Sequence, residues 1–382
     1  MTDSLSALGL STAGMDEIFS PASIVEHMLT FESALALALA DNGLVPSEHA
    51  EAIEVACGVP AADPEAVLAS TWSSGTPVIA LVEAIRLRLS DDEQRKWVHY
   101  GATSQDVVDT AHMLLAKRAF FTMEAPLVGI TRHLRRLVEE NRYQPQIGRT
   151  FLQHATATTF GIRVATWLAP LLDHVLGLRA LAESLPVQLG GPVGNLAAYG
   201  EKGTDVVEAL AGRLDLRAPE IAWHTDRSVV WRLAGLVRTM VMTLEKIAAD
   251  VSLLAASDVA ELLVRSGGSS SITGKRNPID AIRVMASAAV SHGAVEMITR
   301  ARPHELDRGM GSWHAEWVGI PLMFRSAGAA IEASEAMFET MEVDDAAMTG
   351  RVDAESARSL GDLDERQIDA VLTRFDEVIG RR

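Results

Sequence analysis

Three short polar tracts interrupt an otherwise apolar, alanine- and leucine-rich chain, and each carries side chains that can do chemistry. They read HYGATSQDVVDT from His99 to Thr110, GRTFLQHATATTFG from Gly148 to Gly161, and GGSSSITGKRNP from Gly267 to Pro278. The third sets flexible hydroxyls (Ser269, Ser270) beside two fixed positive charges, Lys275 and Arg276, followed by the amide of Asn277. A glycine-rich run ending in Gly-Lys suggests a nucleotide-phosphate loop, but the pattern fails. Five residues rather than four separate Gly268 from Gly274, Arg276 stands where Ser or Thr should hold magnesium, and a long helical pattern precedes the tract instead of a strand. Taken singly, the other residues also have ordinary readings. Thr103 and Ser104 can cap a helix, His154 can be an interior histidine, Asn277 can be an N-cap, and Lys275 and Arg276 can be solvated charges.

The elements that must position these tracts are helical. Ser23 and Glu26 form a capping-box pattern ahead of a helix that ends at Asn42-Gly43. Shorter helices follow to about Gln94, then a helical tract over 106–142 with Pro126 as a kink or break, and another over 161–184 carrying Pro170. Over 229–263 apolar residues recur in three- and four-residue steps (Leu233, Leu236, Val237, Met240, Leu244, Ile247, Val251, Leu254), predicting one helix roughly 50 Å long. A helix of that length needs neighbours of similar length, from its own chain or from copies of it. Asn277-Pro278-Ile279-Asp280 reads as N-cap, proline at N1 and a first-turn acid, opening a helix to about Thr299. Helices over 321–341 and 354–379 complete the chain. No alternating strand pattern, repeat or low-complexity segment is found, so the expected class is all-α, built on a long central bundle.

Composition agrees. Of 382 residues, 48% are hydrophobic and only 5% aromatic, which favours packed helices. A net charge of −17 argues against nucleic acid or an anionic membrane as partner, and a small anionic substrate would need a local cationic pocket. One cysteine, Cys57, allows no internal disulfide and no cysteine-based zinc site, so a reducing compartment is expected. The first twenty residues lack a basic start and apolar core, and no long uncharged apolar run occurs. The expectation is a cytoplasmic protein without a membrane span, and without a metal or cofactor, since His, Asp and Glu near the tracts lack ligand spacing.

Together the three tracts resemble the three signature regions of the fumarase/aspartase superfamily. Its third signature, G-S-S-x-M-P-x-K-x-N-P, is met by Gly268, Ser269, Ser270, Lys275, Asn277 and Pro278 at the same offsets. LGGPVGNLAAYGEKG, WHTDR, LEKIAADVSLLAASDVAEL and GSWHAEW extend the likeness to the bacterial 3-carboxy-cis,cis-muconate lactonising branch, from about residue 20 to 350. The resemblance implies a fumarase/aspartase-like fold with a twenty-helix core in a homotetramer, each active site drawing its three tracts from three subunits. It implies an N-terminal helical domain (1–100), a central long-helix domain (101–342) and a reduced C-terminal segment (343–382).

Departures from the family pattern are informative. Lyases of the superfamily carry T-H-x-Q in the second signature, with the histidine protonating the leaving group. Here Phe151 stands there, in Thr150-Phe151-Leu152-Gln153. An amine leaving group gains much from a general acid, whereas a carboxylate departs as a stable anion, so the loss suits lactone chemistry. Ile272, Thr273 and Gly274 replace the usual Met, Pro and a bulkier residue, which loosens the loop or changes its path. The resemblance implies Ser269 as proton donor and acceptor, with Lys275 and Asn277 stabilising the developing negative charge. It implies Thr103, Ser104, His154 and Ser270 as substrate-binding groups for a small di- or tricarboxylate, with Arg308 for an extra carboxylate. Alternatives are a 3-sulfomuconate cycloisomerase, an adenylosuccinate-type lyase, and a non-catalytic helical scaffold.

Overall fold

The computed structural model describes residues 4–268, 270–273, 275–300, 304–362 and 366–380. Helices dominate, as the apolar periodicity predicts. The first long one, α1 (Pro21–Asp41), is capped by Ser20, whose hydroxyl accepts from the Ser23 amide at 3.2 Å, with Pro21 at N1. The expected Ser23–Glu26 box is thus displaced by one turn, because the fixed φ of Pro21 starts the helix earlier. Helices α2 (Ser47–Cys57) and α3 (Val78–Leu87) pack beside it.

Helix α4 (Ser104–Glu140) follows the first tract and runs through Pro126 without interruption. Helix α5 (Phe160–Ser184) likewise runs through Pro170. Between them lies the main departure from expectation, an antiparallel hairpin of β1 (Pro145–Thr150) and β2 (Gln153–Thr159). The period-2 alternation in β2 is carried by small residues, Ala155 and Ala157 against Thr156 and Thr158, so no large apolar side chain marks the buried face.

After α6 (Gly203–Leu214) comes α7 (Ser228–Leu254), 27 residues or about 40 Å, shorter than the apolar stripe suggests. Its apolar continuation through Val259, Leu262 and Leu263 leaves the helix. Ala260 turns left-handed (φ 49) and Leu262–Leu263 forms a short strand, β3. Ser266–Gly267 (β4) then pairs with Asn277–Pro278 (β5), clasping the third tract into a loop. Asn277 therefore is not an N-cap. Helix α8 (Ile279–Thr299) starts two residues later, with Pro278 in the cap position.

Helix α9 (Ser312–Glu339) begins nine residues before the expected Pro321, which it contains. Beyond β6 (Glu342–Val343), which pairs with β3, the expected helix over 354–379 is split into a 3₁₀ turn (Ser356–Asp362) and α10 (Arg366–Val378).

Two apolar cores result. The larger joins α4, α5, α7, α8 and α9 through residues such as Leu134, Trp167, Leu171, Leu244, Val284 and Phe324. The smaller joins α1, α2, α3 and α6 with the first turns of α4, through Phe31, Leu35, Ile53, Leu81, Val107 and Leu210. Thus α4 spans both cores, and the tract at its N-terminus sits where they meet. Helices α1 and α5 are long and apolar enough to cross a membrane, but both turn their apolar side chains into these cores.

Candidate active site

The first tract is built from the α4 N-terminus outward. Thr103 is the N-cap, in extended conformation, and its amide donates to Asp106 Oδ2 at 2.9 Å. Asp106 is buried and also accepts from the amides of Gly190 and Gly191, each at 3.0 Å. His224 Nε2 lies 2.7 Å from its Oδ1. One carboxylate thus fastens the cap to the LGGPVG loop and to WHTDR, two segments far away in sequence.

One turn further along α4, Asp109 anchors a second buried array. Arg227 donates to it through two nitrogens, at 2.7 and 3.1 Å, and Trp313 Nε1 and Gln105 Nε2 donate at 2.9 and 3.1 Å. Arg227 Nε also reaches Glu316 at 3.2 Å. Burial opposes ionisation of Asp109, but the Arg227 guanidinium and the two neutral donors outweigh it and hold its carboxyl below the usual carboxylate range. Burial likewise opposes the charge on Arg227, and Asp109 with Glu316 overrides it, so the guanidinium stays ionised. At nearby His112 burial outweighs the attraction of Asp109 and Glu316 and, with Arg227, pushes the imidazole below its usual range.

Above this base lies the open part of the site. Arg308 Nη2 donates to Thr103 Oγ1 at 2.8 Å and to the Pro192 carbonyl at 3.4 Å. The loop carrying it is tied down by Thr225, whose hydroxyl donates to the Leu306 carbonyl at 3.0 Å. Half-buried Ser104 occupies the first position of a 37-residue helix. A guanidinium, the Thr103 hydroxyl and the N-terminus of a long helix lie together here, a combination whose chemistry suits a carboxylate.

The other two tracts follow the far ends of α4 and α7. Phe151 and Leu152 form the two-residue hairpin turn with φ of 50° and 63°, and Phe151 is 99% exposed. His154 follows on β2, exposed and paired in register with Arg149. Below it, Gln146 (2.8 Å) and Arg149 (3.1 Å) grip the buried Glu261 carboxylate. The stem of the third tract is closed by the Arg265–Asp280 ion pair (Nε to Oδ2 2.9 Å) and by Asn277 Nδ2 donating to the Gly268 carbonyl at 3.2 Å. Ser270 and Lys275 are exposed on the loop, and Ser269 lies outside the described residues.

Of the sequence-predicted residues, Thr103, Ser104 and Arg308 are brought together, whereas His154 and the loop residues Ser270, Lys275 and Asn277 stand on separate elements. Reading the sequence missed Asp106, Asp109, His224, Arg227, Trp313 and Glu316. Their signal was present: two acids three apart in the first turns of an apolar helix, and charged and aromatic residues clustered in WHTDR and GSWHAEW.

The lyase family model matches residues 10–291. A 3-carboxy-cis,cis-muconate cycloisomerase of Bradyrhizobium diazoefficiens is 36% identical over 90% of this chain and 78% of its own length. One from Pseudomonas aeruginosa is 37% identical over 87% and 74%. The crystal structure of 3-carboxy-cis,cis-muconate lactonizing enzyme from Pseudomonas putida superposes with a TM-score of 0.86 at 33% identity, covering 99% of this chain and 88% of that one.

Proposed function

Because the chain belongs to the lyase family, we propose that it catalyses the cycloisomerisation of 3-carboxy-cis,cis-muconate to a carboxymuconolactone. The observation that carries this reading is the exposed, apolar Phe151 at the hairpin tip, where a lyase expelling an amine needs a general acid. The curated relatives named above share this reaction in their names.

In lactonisation, a substrate carboxylate oxygen adds to a conjugated carbon of the same molecule and one C–O bond forms. The electron pair displaced moves onto the adjacent carbon and into another carboxylate as an aci-carboxylate. Ser269 then delivers a proton to that carbon and recovers it from solvent, so the trianion plus one proton becomes a lactone dianion. Lys275 and Asn277 stabilise the aci-carboxylate, with Ser270 beside them, and Lys275 stabilises the serine alkoxide left once the proton has been given up, until solvent restores it. Thr103, Ser104, Arg308 and His154 hold the carboxylates that do not react.

The tracts serve one site when copies of the chain associate, and we propose a homotetramer. Supporting this, Trp231, Met242 and Leu253 are 44%, 51% and 48% exposed at eleven-residue intervals along α7, an apolar stripe suited to another long helix. The cytoplasm is the expected compartment. The test is loss of muconate ultraviolet absorbance, run beside the 3-sulfo analogue and adenylosuccinate. Rapid loss with the carboxy compound supports the reading, preference for the sulfo compound assigns the Ile272-Thr273-Gly274 loop to substrate choice, and cleavage of adenylosuccinate alone overturns it.

A further inference from the structure

We propose that Glu32 is a positioning residue for this reaction: by holding His99 it fixes the left-handed turn that delivers Thr103 and Ser104 to a substrate carboxylate. The proposal deepens the reading above, and its kinetic arm rests on that reading. Glu32 sits in the middle of α1 with its side chain 0% exposed, and its Oε1 lies 2.6 Å from His99 Nδ1. Its other oxygen, Oε2, is buried without a hydrogen-bond partner among the described residues. A carboxylate placed in an apolar core with one partner is a poor device for stability, since a well-packed apolar side chain avoids the desolvation penalty. It is a good device for fixing one geometry.

That geometry needs fixing. His99 has φ 61 and Gly101 φ 72, so the backbone turns left-handed twice within three residues just before Thr103. Tyr199 holds the far side of the turn. Its hydroxyl donates to the Tyr100 carbonyl at 3.0 Å, and its ring lies so close over Gly101 that a Cβ there would come within 2.4 Å. Glu32 holds the near side through His99. Arg86 from α3 and Asp106 from α4 also face His99, while Cys57 from α2 and Tyr199 face the Glu32 carboxylate. Burial works against the imidazolium, but Glu32 outweighs it, assisted by Asp106 and opposed by Arg86, so His99 titrates above its usual range. Removing the Glu32 charge leaves burial and Arg86 opposed by Asp106 alone.

The experiment labels the eleven histidines with ¹⁵N and assigns His99 by its disappearance in His99→Asn, a residue that tolerates the left-handed backbone. Glu32→Gln, which keeps shape and removes charge, is then compared with the wild type. The expected result is a lower titration midpoint for His99 and a KM for 3-carboxymuconate raised on the order of ten-fold with kcat little changed. The alkaline limb of kcat/KM moves to lower pH, and the double variant is no worse than Glu32→Gln. A merely structural role reduces the folded fraction and leaves the KM and pH limb of the remaining enzyme where they were, which overturns the proposal. So does an unchanged His99 midpoint. Should Glu32→Gln not fold, His99→Asn alone carries the test: a raised KM with the alkaline limb abolished supports the proposal, and an unchanged KM ends it. If wild type turns over no muconate, the functional reading fails by itself. The His99 midpoint and the shift of the His99 backbone amide signal in Glu32→Gln then still decide whether the pair sets the turn.

Discussion

The base of the site and its exposed tracts are built on opposite principles. Below Thr103, Asp106, Asp109, Arg227 and Glu316 are all buried and multiply bonded across four chain segments. Beyond the opposite ends of α4 and α7, the hairpin tip with Phe151 and Leu152 and the loop with Ser270 and Lys275 are exposed and joined at their stems by short strand pairs. A group that must hold a carboxylate in one place gains from a rigid, desolvated foundation. A group that must admit substrate, close and release product gains from a hinge and few fixed contacts. The division of labour predicts that damage to the loop costs rate and damage to the base costs the fold.

The sharpest test lies in the loop. Ser269→Ala should lower kcat by about 10²- to 10⁴-fold, the usual weight of a positioned proton donor, with the urea midpoint unchanged. A lost fold instead of a lost rate would break the comparison. The base should answer in reverse. Arg227→Met leaves Asp109 and Glu316 buried without their cation and should cost about 3–5 kcal/mol in chemical denaturation. Because the Asp109 carboxyl is held below its ordinary value of 3.8, its stabilising contribution is present above that pH and is lost as pH falls through its folded-state pKa. Stability of the wild type should therefore decline below about pH 4, and Asp109→Asn should remove that part of the decline.

Arg308 is half-buried at the edge of the base and should give a smaller, mixed effect. Arg308→Lys keeps the charge but loses the planar fork that meets Thr103 and Pro192 together. An increase in KM on the order of ten-fold with kcat little changed is expected from steady-state kinetics. A change in stability as large as that of Arg227→Met would move Arg308 into the base.

The same division explains what the sequence revealed. Helix α7 and the tracts are legible because apolar steps of three and four residues stop where Gly, Ser and Thr accumulate. The end of α7 is not, since Val259, Leu262 and Leu263 extend the stripe while the backbone has already turned at Ala260. The cap at Asn277 is misread for a related reason. Local chemistry favours it, but pairing of Asn277–Pro278 with Ser266–Gly267 is non-local and overrides it. The base is the least legible part. An aspartate near a helix start looks like an ordinary dipole partner until Gly190 and His224 are folded against Asp106, and Arg227 against Asp109, all more than eighty residues away.

The hairpin tip supplies the smallest and most discriminating test. A two-residue hairpin turn with positive φ at both positions favours Asn-Gly, because glycine enters the left-handed region without steric cost and a branched side chain does not. This chain places Phe151 and Leu152 there, at φ 50° and 63°. If the tip were only a turn, that choice would be a defect, and Leu152→Gly should stabilise it by roughly 1 kcal/mol at no cost elsewhere. If the tip is shaped to be covered by another copy of the chain near its active site, the same substitution still relieves strain but removes apolar surface. Thermal stability should then fall as protein is diluted, and KM should rise a few-fold, while wild type shows neither change. Concentration-dependent melting of the two proteins separates these outcomes. Strain of this kind persists where surrounding structure outweighs it, and within one chain the exposed side chains of Phe151 and Leu152 find little that does.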